Sequence, residues 1–141
     1  FYLDQLDIEE LFEVIKINSI APLLMVKNFR ELLKKSDQPK VVNISSWLGS
    51  INKLTFGGHY GYVGSKNLLN IFNKSMSYEL INEGIITVNI NPGWVKTDMG
   101  GQKATLSPEQ SINSMIQNVL NKVSINDSGK FFNYDGTEHP W

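Results

Sequence analysis

Apolar positions along this chain switch repeatedly between helical and strand spacing. Asp7 begins an Asp-Ile-Glu-Glu stretch. It is suited to cap a helix, and Glu10 falls where a capping box places its acid. Leu11, Phe12, Val14 and Ile15 follow at helical spacing. A second helical run carries Leu23, Leu24, Val26, Phe29, Leu32 and Leu33, and closes on Lys34-Lys35, cations suited to a helix C-terminus. Pro22 lies between the two runs and predicts a bend or break over 18–22. Residues 40–45, Lys-Val-Val-Asn-Ile-Ser, are short and β-branched, which predicts a strand. A glycine-rich loop follows over 49–58. The stretch 60–82 predicts a long helix, with Leu68, Leu69, Phe72, Met76 and Leu80 as its apolar face and Gly84 at its end. Residues 85–90, Ile-Ile-Thr-Val-Asn-Ile, predict a strand that Asn91-Pro92-Gly93 stops. Ser107-Pro108-Glu109 opens a further helix carrying Ile112, Met115, Ile116, Val119 and Leu120. Residues 129–134 predict a last strand, and Asp135-Gly136 turns away from it.

The order is helix, strand, helix, strand, helix, strand. Strands joined through long helices are parallel, because a parallel neighbour requires a crossover. The expectation is an α/β fold with about three parallel strands and right-handed crossovers.

The bulk numbers narrow the function classes. In 141 residues, hydrophobic content is 41% and charged content 19%, a globular rather than a disordered balance. A net charge of −1 argues against a nucleic-acid partner or an anionic membrane surface. The absence of cysteine excludes disulfides, cysteine zinc sites and thiol nucleophiles, and fits a reducing compartment. No apolar run reaches the roughly 18 residues of a membrane span. No signal peptide is visible, so a cytoplasmic location is expected. His59 and His139 lie far apart with no accompanying carboxylate cluster, so no metal site is expected.

The candidate chemistry lies in Tyr62-Val63-Gly64-Ser65-Lys66. Residues four apart on a helix share a face, so the Lys66 ammonium can sit beside the Tyr62 phenol. A cation beside a phenol favours the phenolate and makes the hydroxyl a usable proton donor or acceptor near neutral pH. Ligands of open parallel sheets sit at the carboxyl ends of the strands. Ser45-Ser46 closes the first strand there, Asn91-Pro92-Gly93 closes the second, and Tyr62 and Lys66 open the intervening helix. A hydroxyl, a phenol and an ammonium would converge on a carbonyl or alcohol oxygen. Taken singly, each motif is also an ordinary turn or helix feature; their order and shared sheet edge give them weight. Trp47 and Trp94 flank this site, either as packing residues or as walls of an apolar substrate pocket. Tyr60 is expected to face elsewhere on the helix and has no lysine four residues on.

Asn18, Ser46, Tyr62 and Lys66, followed by Pro92-Gly93-Trp94-Val95-Lys96-Thr97, resemble the short-chain dehydrogenase/reductase family over nearly the whole chain. Ile44-Ser45-Ser46, Leu48-Gly49-Ser50-Ile51, Gly57-Gly58, the run from Asn91 to Gly101 and His139-Pro140-Trp141 resemble its sniffer-type carbonyl reductase and C-factor subgroup. The resemblance implies a Rossmann-like doubly wound sheet and hydride transfer between a small carbonyl or alcohol and NAD or NADP, with NADP favoured by the subgroup. It implies Tyr62 as acid/base and Lys66 as its activator and a ligand of the nicotinamide ribose. Ser46 would orient substrate, and Asn18 would fix a proton-relay water. Pro92, Gly93, Val95 and Thr97 would lie along the nicotinamide and its phosphate. It also implies that the long helices are where two copies pair into a homodimer, a monomer being the alternative.

One departure stands out. The family's glycine-rich dinucleotide turn and its asparagine-alanine-glycine turn are absent from these residues. Gly57, Gly61 and Gly64 are wrongly placed to replace them. The resemblance therefore implies residues 1–141 as a single incomplete Rossmann-like domain, the carboxyl-terminal portion of such an enzyme. Alone it would be inactive and bind dinucleotide weakly. One sheet edge would be unpaired, and the helices over 7–35 would cover less than they were built to cover. Two further readings remain open: a non-catalytic signalling or interaction protein of the C-factor type, and a sugar-nucleotide epimerase or dehydratase. The resemblance of Pro92-Gly93-x-x-x-Thr97 argues against the second.

Overall fold

Asp7 caps the first helix as its position predicts, its carboxylate accepting the backbone N–H groups of Glu9 at 2.9 Å and Glu10 at 3.1 Å. In the computed structural model, which describes residues 2–141, helix α1 (Ile8–Ile15) runs through a π turn (Lys16–Ile20) directly into α2 (Ala21–Leu33). The break expected over 18–22 is thus a widened turn and not an interruption. Pro22 has no N–H to return to the Asn18 carbonyl, and the Ala21 N–H reaches back to Lys16 O instead. Ser19, fully buried in this turn, donates its hydroxyl to Ser65 O at 2.7 Å and ties the turn to the next helix.

Strands β1 (Lys40–Ile44), β2 (Ile86–Asn91) and β3 (Phe131–Asn133) form one parallel sheet in the order β1-β2-β3, with Val42 opposite Val88 and Asn91 opposite Asn133. Helix α3 (Tyr60–Leu80) crosses from β1 to β2. Helix α4 (Pro108–Met115), closed at its start by a Ser107–Gln110 capping box, runs on through a second π turn (Ile116–Leu120) towards β3. The last strand is shorter than the predicted 129–134, because Gly129 turns at φ +84° before the ladder begins.

Period-two alternation gives the sheet two unlike faces. Ile86, Val88 and Ile90 pack with Val119 and Phe132 on the α4 side. Asn43 of β1, Ser45 just beyond it, and Thr87, Asn89 and Asn91 of β2 are buried polar positions, and hydrogen bonds tie most of them to α3. The buried face of α3 accordingly departs from the apolar stripe expected of it. Asn70, Asn73, Ser65 and Ser77 are buried with Leu69, Met76 and Leu80, while Leu68 and Phe72 are only half-buried. A second apolar cluster of Val26, Met76, Leu80 and Ile85 joins α2 to the far half of α3.

β1 is an edge strand, and α1 and α2 leave Phe12, Leu24, Met25, Phe29 and Leu32 exposed. Both features match the expectation of an uncovered side. Among the described residues no helix is long and apolar enough to cross a membrane.

Candidate active site

Tyr62 and Lys66 sit on the opening turns of α3, at the carboxyl end of the sheet. The Lys66 ammonium lies 5.8 Å from the centroid of the Tyr62 ring, the i, i+4 proximity the spacing predicts. It donates to the Ile44 carbonyl at 2.9 Å, where β1 ends. Burial pushes Lys66 below the ordinary lysine value. One of its three N–H donors is spent on Ile44, which leaves two for a ligand.

Asn18 reaches the same helix from the π turn, its Nδ2 donating to Ser65 Oγ at 3.1 Å; Ser65 Oγ in turn donates to the Tyr62 carbonyl at 2.8 Å. Asn18, Tyr62 and Lys66 all line one cavity of about 620 Å³, whose other walls include Leu11, Val14 and Met99. Tyr60, the first residue of α3, lines it too, contrary to the expectation that it faces elsewhere.

Ser46, Pro92, Gly93, Val95 and Thr97 line a second cavity of about 490 Å³. Tyr62 and Met99 belong to both cavities, so Tyr62 stands where they meet. Trp47 and Trp94 line the second cavity as wall residues. The two serines at the end of β1 are distinguished by their bonds. Ser45 Oγ donates to Asn70 Oδ1 at 2.7 Å and is committed to the core. Ser46 Oγ accepts the Leu48 N–H at 3.2 Å, which leaves its own O–H able to donate. Gly93 turns at φ +81° and packs so tightly that a Cβ there would fall 2.7 Å from Leu106 and 2.8 Å from Tyr134. The Thr97 hydroxyl accepts the Gly100 N–H at 3.1 Å, closing the loop that carries Met99.

His59 and Met99 are among the wall residues that were not sequence candidates. His59 lines the first cavity and adopts the left-handed conformation at φ 52°, rare for a residue with a side chain. Met99 has no chemistry to announce it; only its place in the loop after β2 could have marked it. Among the described residues no cluster of histidine and acid side chains suited to a metal is found.

Residues 2–107 match the short chain dehydrogenase family model. The chain is 38% identical over 139 residues to C-signal of Myxococcus xanthus, covering 99% of this chain and 83% of that protein. It superposes on carbonyl reductase Sniffer of D. melanogaster with a TM-score of 0.96 and 36% identity, covering 100% of this chain and 61% of that one. It superposes on an NADPH bound carbonyl reductase from chicken fatty liver with a TM-score of 0.88 and 36% identity, again over 100% and 61%. The chain therefore belongs to the short chain dehydrogenase family, and its three parallel strands and helices are part of the Rossmann-like fold of these relatives. It spans about three fifths of the length of the two carbonyl reductases.

Proposed function

We propose that these residues form the proton-transfer and nicotinamide side of an NAD(P)-dependent carbonyl reductase. The observation that carries this reading is the place of Tyr62 in the walls of both cavities, with Lys66 lining one and Ser46 the other. The donor set fits a nicotinamide riboside. Lys66 has two N–H donors left for sugar hydroxyls, and Pro92 and Val95 offer an apolar wall for a flat ring. When bound, the reduced cofactor supplies the hydride to the carbonyl carbon. Ser46 O–H holds the carbonyl oxygen, and Tyr62 O–H gives it the proton, so that a C=O becomes a CH–OH. In the oxidising direction Tyr62 takes the proton back. Asn18 lines the Lys66 cavity and is suited to hold a water that returns the proton to Tyr62. Likeness to the NADPH bound reductase favours NADP over NAD.

The same reading makes these 141 residues weak in dinucleotide binding by themselves, since Gly57, Gly61 and Gly64, which lead into and enter α3, lack the spacing of a phosphate-cradling turn. A cytoplasmic location, supported by the cysteine-free composition, belongs to it. So does pairing of two copies through α3 and α4, the helices after β1 and β2, supported by the outward Ile71 and Tyr78 of α3 and Ile112 of α4.

A second reading, a non-catalytic signalling protein, is favoured by the 38% identity to C-signal over 83% of that protein. An assay of the protein as its own gene encodes it separates the two. Ketone-dependent oxidation of NADPH, followed by loss of nicotinamide absorbance, supports the reductase. No turnover with a panel of small aldehydes and ketones, and no NADPH binding, supports the signalling protein.

A further inference from the structure

Asn91, the last residue of β2, is buried, and its amide does not belong to the candidate catalytic set. Its Oδ1 accepts two backbone N–H groups from separate loops, that of Trp47 at 3.2 Å and that of Gly93 at 3.3 Å. Trp47 directly follows Ser46, and Gly93 directly follows Pro92, so both loops belong to the wall of the second cavity. The amide is held from behind. Its Nδ2 donates to Asn133 Oδ1 at 3.0 Å, across the β2–β3 register. Asn133 Oδ1 also meets His139 Nδ1 at 2.8 Å, and Asn133 Nδ2 donates to Thr137 Oγ1 at 3.0 Å. Flipping the Asn91 amide would set an NH₂ against two N–H donors and an oxygen against an oxygen, so its orientation is fixed by its partners.

We propose that Asn91 is a positioning residue: one side-chain oxygen spans the loop after β1 and the loop after β2, and thereby sets the Ser46 hydroxyl at its working distance from the Pro92-Gly93 wall. The proposal deepens the reductase reading and rests on it for its catalytic part. Proton transfer tolerates little error in that distance, because a misplacement of about 1 Å costs on the order of 100-fold in rate. Backbone bonds of the sheet cannot do this work alone, since both loops have left the ladder where the two N–H groups occur.

The test compares Asn91→Leu, similar in size but without polar atoms, with Asn91→Asp, which keeps an acceptor oxygen between the two N–H groups and, with its other oxygen protonated, a donor to Asn133 Oδ1. It uses the protein as its own gene encodes it. Amide hydrogen exchange is read at Trp47 and Gly93, with Val42 and Val88 in the ladder as internal controls of folding. In Asn91→Leu, Trp47 and Gly93 lose protection together by roughly tenfold, about the value of one hydrogen bond. Val42 and Val88 keep theirs, and Asn91→Asp retains most of the protection. In ketone reduction, Asn91→Leu lowers kcat by roughly 10- to 100-fold while KM for NADPH changes less than about threefold. Unchanged exchange at Trp47 and Gly93 in Asn91→Leu, or equal loss in both variants, overturns the proposal. Lost protection with unchanged kcat overturns the positioning role. If the unaltered protein reduces no ketone, the reductase reading fails by itself, and the exchange comparison still decides whether one oxygen holds the two loops.

Discussion

On the α4 side of the sheet, Ile86, Val88 and Ile90 pack into an apolar cluster with Val119 and Phe132; on the α3 side, Asn43, Ser45 and Asn89 meet asparagines of α3. The first face is held by non-directional burial and tolerates small shifts at modest cost. The second is directional. Asn70 Oδ1 accepts from Ser45 Oγ at 2.7 Å and Asn89 Nδ2 at 2.9 Å, while its Nδ2 donates to Gly49 O at 3.0 Å. These bonds fix how α3 sits along the strands, and α3 carries Tyr62 and Lys66. The apolar face supplies bulk stability, and the polar face sets the register of the site.

Breaking the directional face should have the largest effect. Asn70→Leu leaves Ser45 Oγ and Asn89 Nδ2 buried without their acceptor, at about 1–3 kcal/mol each, so a loss of roughly 2–6 kcal/mol is expected in urea unfolding. Ile90→Val on the apolar face removes one methylene and should cost about 0.5–1.5 kcal/mol. Equal or reversed costs would erase the contrast between the faces.

The smallest effect is expected at the C-terminal segment. His139 is buried against Phe131, with ring centroids 4.7 Å apart. Burial, helped by the charge of Lys53, holds its pKa below the ordinary 6.5, while the nearby Trp47 backbone works in the opposite direction. The unfolded chain therefore takes up the proton first. The contribution of His139 is complete above pH 6.5 and is lost as pH falls from there through the lower folded value. Its slope is at most about 1.4 kcal/mol per pH unit. Stability measured from pH 8 to 5 should fall only in the acid part, and His139→Phe should flatten that part of the curve.

The element order was legible because amphipathic spacing and caps are local. Asp7, Pro108 and the β-branched strands each announce themselves within a few residues. Tyr62 and Lys66 were legible because helical geometry alone brings them together. The polar underside of α3 was not, because asparagine at a helix surface reads as solvent-facing until Ser45 and Asn89 are placed against it. The turn at Pro22 was legible as a disturbance but not as a π turn, since what holds it is Ser19 bonding to Ser65, a contact between distant parts of the chain. His59 and Met99 join the cavity walls through loop geometry, which no local pattern encodes.

We propose that Tyr62 delivers the proton while Lys66 and Ser46 hold cofactor and substrate. Steady-state reduction of a ketone by Tyr62→Phe in the protein as its own gene encodes it, with NADPH binding measured in parallel, tests this most directly. Turnover is expected to fall by at least roughly 100-fold, as for loss of a general acid, with NADPH affinity within a few-fold of the unaltered protein. Turnover retained at its original rate would contradict it.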